Sequence, residues 1–319
     1  MEIPQRAAFI VGAPRCGTSS LARLFKQHPE VSFSSVKEPH FFSRFDLAEL
    51  DERELTELVG RAYVDRFFGA RDEQKMLMEA SPTYFYAAER MSTILRLWPD
   101  AKFIIALRDP LAMIPSLHSR LLMTCDEDVS DLKRAWDLIP ERRNGREVPR
   151  SCIDARFLRY DEAARFATHL KNFFTVVGEN RCHVLLLDDF SSDPVGSYEE
   201  ICSFLNLQPW PHTEFKVDRK NHRFRLKWLQ RLLNRPPKPV LTWLASDQFL
   251  QREGIAREQN RFFKTLASMR KRLLRWNEYP AARGPLDDEL RLKIARHYRQ
   301  EVEELSKLIR RDLGHWLRV

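Results

Sequence analysis

The sequence has no long apolar segment of the kind that a membrane span requires. No apolar run approaches the roughly 18 residues that cross a bilayer as a helix, although 43% of the 319 residues are hydrophobic. Residues 1–6 lead directly into a short apolar run at 7–11, without a leader-like segment before it. These absences predict a protein without a secretory signal or membrane anchor, and we expect a cytoplasmic location.

Cysteine pairs and metal-ligand patterns are also absent from the sequence. The five cysteines, at positions 16, 125, 152, 182 and 202, are scattered, and no two form a C-x-x-C pair. Free thiols in a reducing compartment are the expected state. No His/Cys cluster has zinc-ligand spacing, so we expect no metal. The sequence contains no internal repeat and no low-complexity tract.

Acidic residues are the minority among the charged side chains. The 53 lysines and arginines exceed the 45 aspartates and glutamates, which leaves a net charge of +8. A positive balance favours anionic ligands, of which nucleic acid is one and a doubly phosphorylated nucleotide is another. The length of 319 residues suits one large α/β domain or two small ones.

A phosphate-binding loop is predicted near the N-terminus. The apolar run 7–11 is followed by Gly12, Pro14 and Gly17, and a helical pattern begins at Ser19. A strand, a glycine loop and a helix together hold phosphate, because the loop amides point inward and the helix N-terminus carries partial positive charge.

This loop differs from the loop that holds the phosphates of ATP. Gly12 and Gly17 have Walker A spacing, but Thr18 stands where the Walker A lysine should follow Gly17. The fixed cation is instead Arg15, inside the loop. We therefore expect phosphate to be held differently from the β- and γ-phosphates of ATP.

A second charged segment, residues 36–42, contains a candidate general base. Pro39 forbids a helix through Glu38 and predicts a rigid extended or turn conformation. Partial burial by the two phenylalanines that end the segment would raise the pKa of Glu38 toward working pH, as a general base requires. The alternative is a surface ion pair between Lys37 and Glu38 above a core phenylalanine pair.

Two further strands are predicted to end in polar residues. Residues 76–86 form a strand that ends in a polar turn, and residues 102–107 form an apolar strand that is central in a parallel sheet. Ligand-binding residues belong at the carboxyl ends of such strands. Arg108 supplies a forked donor at that position, and Ser116 supplies a hydroxyl two helical turns further on. The alternative is an Asp109 helix cap beside an ion-paired arginine.

Taken together, these motifs resemble the sulfotransferases that use 3′-phosphoadenosine 5′-phosphosulfate (PAPS). The run G-x-P-R-x-G-T-S-S-L resembles their 5′-phosphosulfate loop, and R-D-P-x-x-x-x-x-S has the spacing of their 3′-phosphate site. The E-x-H-F-F arrangement is similar to the catalytic segment of the heparan sulfate sulfotransferase branch. The E-K-S-P-x-Y-F element of that branch recurs with Ala80 in place of its lysine.

The resemblance implies a role for each matched residue. Glu38 is expected to deprotonate the acceptor with His40 beside it, and Arg15 to neutralise charge on the leaving phosphate oxygen. Lys37 is expected to replace the lysine that is missing at Ala80. The expected donor-binding residues are Ala13, Pro14, Arg15, Cys16, Gly17, Thr18 and Ser19 for the 5′-phosphate, Arg108 and Ser116 for the 3′-phosphate, and Arg219 and Lys220 from a late basic segment.

The resemblance also implies the three-layer, P-loop-like sulfotransferase fold, with a central parallel sheet and a helical, basic C-terminal part. We expect one domain, 1–319, in which an α/β core at 1–210 carries a basic arm and C-terminal helices at 211–319. The implied activity moves a sulfuryl group from PAPS to a hydroxyl or amine of a saccharide or other small metabolite. No metal, nucleic acid or membrane span is expected.

Two alternatives remain open from the sequence. An ATP-dependent P-loop kinase is suggested by Gly12, Gly17 and Asp188, and a nucleic-acid-binding protein by the basic residues of 219–283. Only the sulfotransferase hypothesis requires the binding of adenosine 3′,5′-bisphosphate. The cations of 219–283 have three interpretations: solvated helix faces, closure over the nucleotide, or steering of an anionic acceptor by outer cations at 270–272.

The remaining patterns predict secondary structure. Residues 46–75 are expected to form one or two solvated helices, and residues 125–150 to be irregular, as an acceptor-side loop or an insertion. A long amphipathic helix is expected at 157–177, a buried strand at 182–187, and a last helix from about 285 to about 312.

Overall fold

The structure, a computed structural model, describes residues 3–68, 75–215, 222–235, 261–281 and 286–318. It divides into two compact units. Unit 1 comprises Met1–Arg108 and Phe166–Asp218, and unit 2 comprises Asp109–Arg165 and Arg219–Val319. The predicted single-domain organisation stays a prediction, and each unit is described by itself.

Strands and helices alternate through the described residues. The strands are β1 (Ala7–Gly12), β2 (Val31–Phe33), β3 (Met76–Ala80), β4 (Lys102–Leu107), β5 (Cys182–Leu186), β6 (His222–Phe224) and β7 (Glu278–Pro280). The helices are α1 (Thr18–Phe25), α2 (Phe41–Arg44), α3 (Glu52–Val59), α4 (Asp65–Phe68), α5 (Met91–Leu97), α6 (Pro110–Thr124), α7 (Leu132–Asp137), α8 (Ile139–Arg143), α9 (Tyr160–Ala163), α10 (Phe166–Val177), α11 (Leu187–Ser192), α12 (Pro194–Phe204), α13 (Lys227–Asn234), α14 (Arg261–Asn277) and α15 (Asp288–Leu308).

Unit 1 is built on a five-stranded sheet in the order β2-β3-β1-β4-β5. Every neighbouring pair in it is parallel; Ile10 of β1, for example, lies opposite Ala80 of β3 and Ile104 of β4. All six residues of β1 are buried, as expected for a strand covered on both faces. The predicted α/β fold with a central parallel sheet is confirmed.

An aromatic cluster packs against one face of this sheet. The ring of Phe9 on β1 stacks on Phe103 of β4 at 5.8 Å between centroids and meets Phe42 edge-on at 6.3 Å. Trp98 lies beside Phe9 at 6.0 Å and donates its Nε1–H to the carbonyl of Pro4 at 2.7 Å. The phenylalanine that ends the charged segment is therefore part of the core.

Unit 2 contains a buried ion pair. Arg142 donates two hydrogen bonds of 2.8 Å to the two carboxylate oxygens of Glu127, and neither side chain is exposed to solvent. The hydroxyl of Tyr160 donates to Glu127 at 2.9 Å. Burial raises the pKa of Glu127, but the charge of Arg142 and the hydrogen bonds from Arg142, Val129 and Tyr160 together outweigh it and hold the pKa below its usual value. Removing one partner of such a pair costs about 3–5 kcal/mol.

Two predictions for the middle of the chain are wrong. Residues 125–150 contain α7 and α8, in which Trp136 and Ile139 are buried. The single helix expected at 157–177 is interrupted between α9 and α10. The backbone N–H of Ala164 donates to the hydroxyl of Tyr298 at 3.3 Å rather than continuing the helical ladder. Sequence periodicity could not reveal this long-range partner.

Other boundaries agree with the predictions. Helices α3 and α4 lie in the segment 46–75, of which residues 69–74 lie outside the described part. The last helix, α15, is capped by Asp287, which accepts a hydrogen bond from the N–H of Leu290 at 3.0 Å. It ends at Leu308, slightly before the predicted end.

Candidate active site

The candidate site residues of unit 1 follow the carboxyl ends of neighbouring strands. Because β1 to β4 are parallel, the segments that follow Gly12, Phe33, Ala80 and Leu107 leave the sheet at the same edge. These segments carry, respectively, the glycine loop (residues 12–19), the charged segment (36–42), the Ser81 turn and Arg108. Ligands of open α/β sheets bind at this edge.

The glycine loop owes its shape to two left-handed backbone positions. Arg15 has φ 66° and Gly17 has φ 94°. A Cβ atom at Gly17 would also lie 2.7 Å from Leu187 Cδ1. Arginine in this conformation is uncommon and carries strain. When residues in left-handed and right-handed conformations alternate, successive backbone N–H groups point into one concave surface, which binds anions.

The loop ends at the N-terminus of α1. The N-cap residue is Gly17, so no side chain covers the first amides of the helix. Thr18 and Ser19 are the first two residues of α1, whose N–H groups find no acceptor within the helix. Thr18 is buried and Ser19 is exposed. These donors and the helix dipole form a site suited to a phosphate group.

Not every predicted loop residue offers its amide to a ligand. The N–H of Ala13 donates to the carbonyl of Ala106 on β4 at 2.5 Å, and Pro14 has no N–H. The thiol of Cys16 is buried, and burial raises its pKa to about 12. Its Sγ lies 3.5 Å from the carbonyl of Pro14. Cys16 is therefore a protonated packing residue, and its backbone N–H donates to the carbonyl of Ala13 at 3.2 Å.

In the charged segment, three ionisable side chains meet. Lys37 Nζ donates to Glu38 Oε1, and His40 Nε2 lies 3.5 Å from Glu38 Oε2. The side chain of Glu38 keeps 31% of its exposure. The ion pair of the alternative interpretation is thus present, above buried Phe41 and Phe42. Its presence does not exclude a catalytic role, since the carboxylate still reaches the surface.

The expected rise in the pKa of Glu38 is wrong. Burial does raise this pKa, but the contacts with His40 and Lys37 outweigh burial and hold it well below its usual range. The sequence could not show that Lys37 and His40 both lie against the carboxylate. Glu38 is therefore a carboxylate at neutral pH, and the contacts that keep it ionised also make it a weaker proton acceptor than the sequence predicted.

A buried carboxylate that the sequence reasoning missed holds the charged segment in place. Glu79 on β3 is fully buried and accepts hydrogen bonds from Ser81 Oγ at 2.5 Å and Tyr84 OH at 2.7 Å. The same two hydroxyls accept the backbone N–H groups of His40 at 3.0 Å and Phe42 at 3.2 Å. Glu79 thus orients the two groups to which the segment is anchored.

The anchoring extends to neighbouring side chains. Tyr63 OH also donates to Glu79 at 2.9 Å, and the pKa of Tyr63 is raised by burial and by that carboxylate. His40 Nδ1 lies 2.8 Å from Thr83 Oγ1, and His40 itself has φ 54°. The signal in the sequence was the lone glutamate in the apolar strand Met76–Ala80, directly before a hydroxyl-rich turn.

Ala80, which stands where the resembling family has its lysine, lies against the charged segment. Ala80 is fully buried, and its backbone N–H donates to the carbonyl of Lys37 at 3.2 Å. The backbone of Lys37 therefore lies next to the position where the resembling family has its lysine. The geometry favours the predicted replacement, which stays a prediction.

The predicted 3′-phosphate residues fall in different units. Arg108 is the last residue of the first segment of unit 1 and is partly exposed. Ser116 is buried in α6 of unit 2, where Asp109 caps the helix by accepting from the N–H of Leu111 at 2.8 Å. Their joint role stays a prediction. Arg219 and Lys220 lie outside the described residues.

The acidic pair that suggested a kinase lies in a helix. Asp188 and Asp189 are in the first turn of α11, after β5 at the sheet edge. The following helix, α12, is capped by Asp193, which accepts from the N–H of Gly196 at 2.9 Å. The kinase alternative has no lysine after Gly17 and gains no support from this arrangement.

Comparison with known proteins identifies the family. Residues 7–212 match the model of the Sulfotransferase family. This match covers more than half of the chain and includes the glycine loop, the charged segment and Arg108. The chain belongs to the Sulfotransferase family, and the resemblance drawn from its motifs is confirmed.

Individual relatives are distant. Carbohydrate sulfotransferase 15 of Mus musculus is 26% identical over 245 residues, which cover 63% of this chain and 44% of that protein. Heparan sulfate glucosamine 3-O-sulfotransferase 6 of Homo sapiens is 26% identical over 212 residues, which cover 63% of this chain and 52% of that protein. The chain thus spans about half the length of these relatives, or less.

A solved structure shares the fold. The sulfotransferase from Alicyclobacillus acidocaldarius superposes with a TM-score of 0.63 at 22% sequence identity, and the alignment covers 100% of both chains. At this identity the likeness establishes the architecture alone. The central parallel sheet with its surrounding helices is therefore the sulfotransferase fold.

Two features of the described residues bear on membranes and metal ions. In those ranges, each helix is too short or too polar to cross a bilayer. In the same ranges, no three His, Cys, Asp or Glu side chains are grouped to hold a metal ion.

Proposed function

We propose that this protein transfers a sulfuryl group from PAPS to a hydroxyl or amine of a saccharide acceptor. The observation that carries the proposal is the common position of the glycine loop and the charged segment, which follow the carboxyl ends of β1 and β2, two strands of the same parallel sheet. The glycine loop supplies hydrogen-bond donors for an anion, and the charged segment supplies the carboxylate of Glu38. The names of the related proteins, which describe carbohydrate and heparan sulfate sulfotransferases, support a saccharide acceptor.

The residues fit the donor. The uncapped N-terminus of α1 and the left-handed positions at Arg15 and Gly17 suit a 5′-phosphate, and Arg108 suits the 3′-phosphate. The bound donor supplies an activated sulfuryl group. The chain supplies donors that hold the phosphate, and the guanidinium of Arg15, which neutralises charge on the leaving oxygen.

The charged segment completes the reaction. Glu38 accepts the proton of the acceptor hydroxyl or amine while the new bond to sulfur forms and the bond to the phosphate oxygen breaks. Lys37 and His40 hold the carboxylate ionised beforehand. Lys37, which lies beside Ala80, stabilises negative charge on the transferred group. In-line positioning and charge stabilisation provide most of the rate, as in phosphoryl transfer.

Calorimetry tests the donor site first. Adenosine 3′,5′-bisphosphate should bind, and ATP should not compete with it at equal concentration. Arg108→Ala should weaken the bisphosphate by about 2–4 kcal/mol, the scale of charge-assisted hydrogen bonds. The same variant should leave the affinity for adenosine 5′-phosphosulfate unchanged, because that nucleotide lacks the 3′-phosphate. An equal loss for both nucleotides would assign Arg108 elsewhere.

An acceptor screen tests the reaction. The protein is incubated with radiolabelled PAPS and a panel of desulfated glycosaminoglycans, simple saccharides, lipids, phenols and peptides. Label transfer to saccharides is the expected result, and Glu38→Gln serves as the inactive control. Label transfer to another class would retain the enzyme and change the acceptor. Failure to bind the bisphosphate would remove the proposed function itself.

A further inference from the structure

The helix pair α13 and α14 of unit 2 exposes an unusual set of large apolar side chains. Trp228 and Trp276 are 64% and 57% exposed, and Met269 is 53% exposed. Leu232 and Leu273 are also exposed. Single exposed apolar residues are normal on a protein surface, but a contiguous patch marks an interaction site.

The two helices run antiparallel. The side chain of Asn277, at the end of α14, bonds to the backbone of Leu226 just before α13. At the other end, Arg270 of α14 donates to the carbonyl of Leu233, in the last turn of α13, at 2.8 Å. Strands β6 and β7, which precede α13 and follow α14, pair in an antiparallel manner.

The exposed residues turn away from the contacts between these helices. On α14, Met269 and Trp276 each directly precede a residue that bonds to α13 or its N-cap, and Leu273 lies between them at helical spacing.

On α13, Trp228 and Leu232 lie two residues before and two residues after Gln230, on the opposite side of the helix from its side chain. That side chain accepts a hydrogen bond from Asn277 of α14 and donates to the carbonyl of Met123 on α6. Neither exposed stripe faces the partner helix, so the five side chains lie on the outer surface of the pair.

The two helices and the strands beside them are rich in cations. The sequence of segments 222–235 and 261–281 contains one acidic residue, Glu278, among many lysines and arginines. Lys227, Arg231, Lys271 and Arg272 are exposed. Not every cation of the segment is available: Arg270, expected to be an outer cation, is half-buried against α13, and burial lowers its pKa.

We propose that α13 and α14 form a docking surface for an anionic lipid bilayer. Tryptophan and leucine on one face with lysine and arginine around it is the pattern of helices that lie in the membrane interface. The apolar face enters the headgroup region, where tryptophan is favoured, and the cations meet anionic headgroups. A nucleic acid would use the cations but would leave the leucines and the methionine exposed to water. The proposal is independent of the sulfotransferase reaction.

Vesicle sedimentation of the full-length protein tests the surface. Vesicles with about 30 mol % phosphatidylglycerol in phosphatidylcholine should bind it, whereas pure phosphatidylcholine should not. Trp228→Ser combined with Trp276→Ser should weaken binding about tenfold or more, because both indoles lose their burial in lipid. The matched control, Ile153→Ser combined with Leu292→Ser, removes exposed apolar residues outside α13 and α14 and should bind normally.

Charge is tested in the same way. Neutralising Lys227, Arg231, Lys271 and Arg272 to Gln should weaken binding about fivefold for each cation in contact with the surface. The control removes the same charge from exposed positions of α15 and beyond it: Arg291, Arg296, Arg299 and Arg310, each to Gln. In the wild type, brominated lipids should quench tryptophan fluorescence, and circular dichroism should verify that each variant folds.

Several outcomes would overturn the proposal. Equal binding to neutral and anionic vesicles would remove the role of the cations, and unchanged binding of the tryptophan double variant would remove the role of the apolar face. Absence of vesicle binding at about 0.1 M salt would exclude the surface outright. Tighter binding to RNA than to vesicles, with the tryptophan variant unaffected, would assign the face to nucleic acid. Each result leaves the test of bisphosphate binding untouched.

Discussion

The glycine loop and the charged segment are built in opposite ways. In the glycine loop the working parts are backbone: left-handed turns at Arg15 and Gly17 and the open N-terminus of α1. In the charged segment they are side chains, whose properties are set by a buried carboxylate, Glu79, and by the neighbours of Glu38. Backbone-built sites leave a mark in glycine and proline spacing, while side-chain networks depend on residues that are distant in sequence.

The largest expected effect lies in the charged segment. Glu38→Gln keeps the shape of the side chain but cannot accept a proton, so turnover should fall about 10²–10⁴-fold. Affinity for adenosine 3′,5′-bisphosphate should remain within about twofold, because the proposed nucleotide site is the glycine loop and does not include Glu38. Turnover is measured with the acceptor from the screen, and affinity by calorimetry. Retained turnover would remove the assignment of the base, and lost affinity would show that the two regions are coupled.

In the glycine loop, the next largest effect is expected from Arg15. Arg15→Asn removes the guanidinium and places a residue that tolerates φ 66° better. Turnover should fall about 10²–10³-fold, while the midpoint of thermal unfolding should stay the same or rise slightly. Arg23→Asn, in the last turn of α1, is the matched control and should retain turnover. A lowered unfolding midpoint with full turnover would make Arg15 a structural residue.

Variants at Glu79 distinguish the positioning of the charged segment from the stability of the fold. Glu79→Gln retains an acceptor but donates an amide toward hydroxyls that already donate, so the anchoring of His40 and Phe42 should loosen. Turnover should fall about tenfold with little change in the affinity for the bisphosphate, since the anchored segment is the one that carries Glu38. Tyr63→Phe, which removes one donor to Glu79 but no anchor of the segment, is the control. Equal turnover losses for the two variants would indicate a general loss of packing.

A comparison of two glycines isolates backbone strain in the glycine loop. Gly17 and Gly145 both have positive φ, but an added Cβ at Gly145 meets nothing within 4 Å. Alanine at either position should cost about 1–2 kcal/mol of unfolding free energy, with a small addition at Gly17 from Leu187. Bisphosphate affinity should fall about tenfold only for Gly17→Ala. Equal affinities for the two variants would place the phosphate outside the loop.

The smallest effect concerns pH. Because the folded pKa of Glu38 is depressed, its ion pair stabilises the folded state above the ordinary glutamate pKa of about 4.3 and loses this contribution as pH falls through the lowered value. The acid limb of the turnover profile should therefore lie below pH about 4.3. Lys37→Met should move that limb upward, and Lys171→Met on α10 should not. A limb that is unchanged in Lys37→Met would contradict the pairing.

The sequence predicted the parts of this molecule that follow from local pattern. Strands β1 and β4 and the start of α1 followed from apolar runs and glycine spacing, and the family followed from three motifs. The direction of the Glu38 pKa shift could not be predicted, since it depends on how closely the side chains of Lys37 and His40 approach the carboxylate. Neither could Glu79, whose hydroxyl partners are up to 16 residues away in sequence.

The division into two units affects how the sheet is completed while the chain is synthesised. Unit 1 is interrupted: β1 to β4 are made first, and β5 emerges only after the whole of Asp109–Arg165. Until then, β4 has an unpaired edge that is apolar over most of its length. An open apolar edge is a template for association between chains. A nascent or truncated chain that ends before Cys182 is therefore aggregation-prone, and its yield should depend on chaperones far more than that of the complete chain.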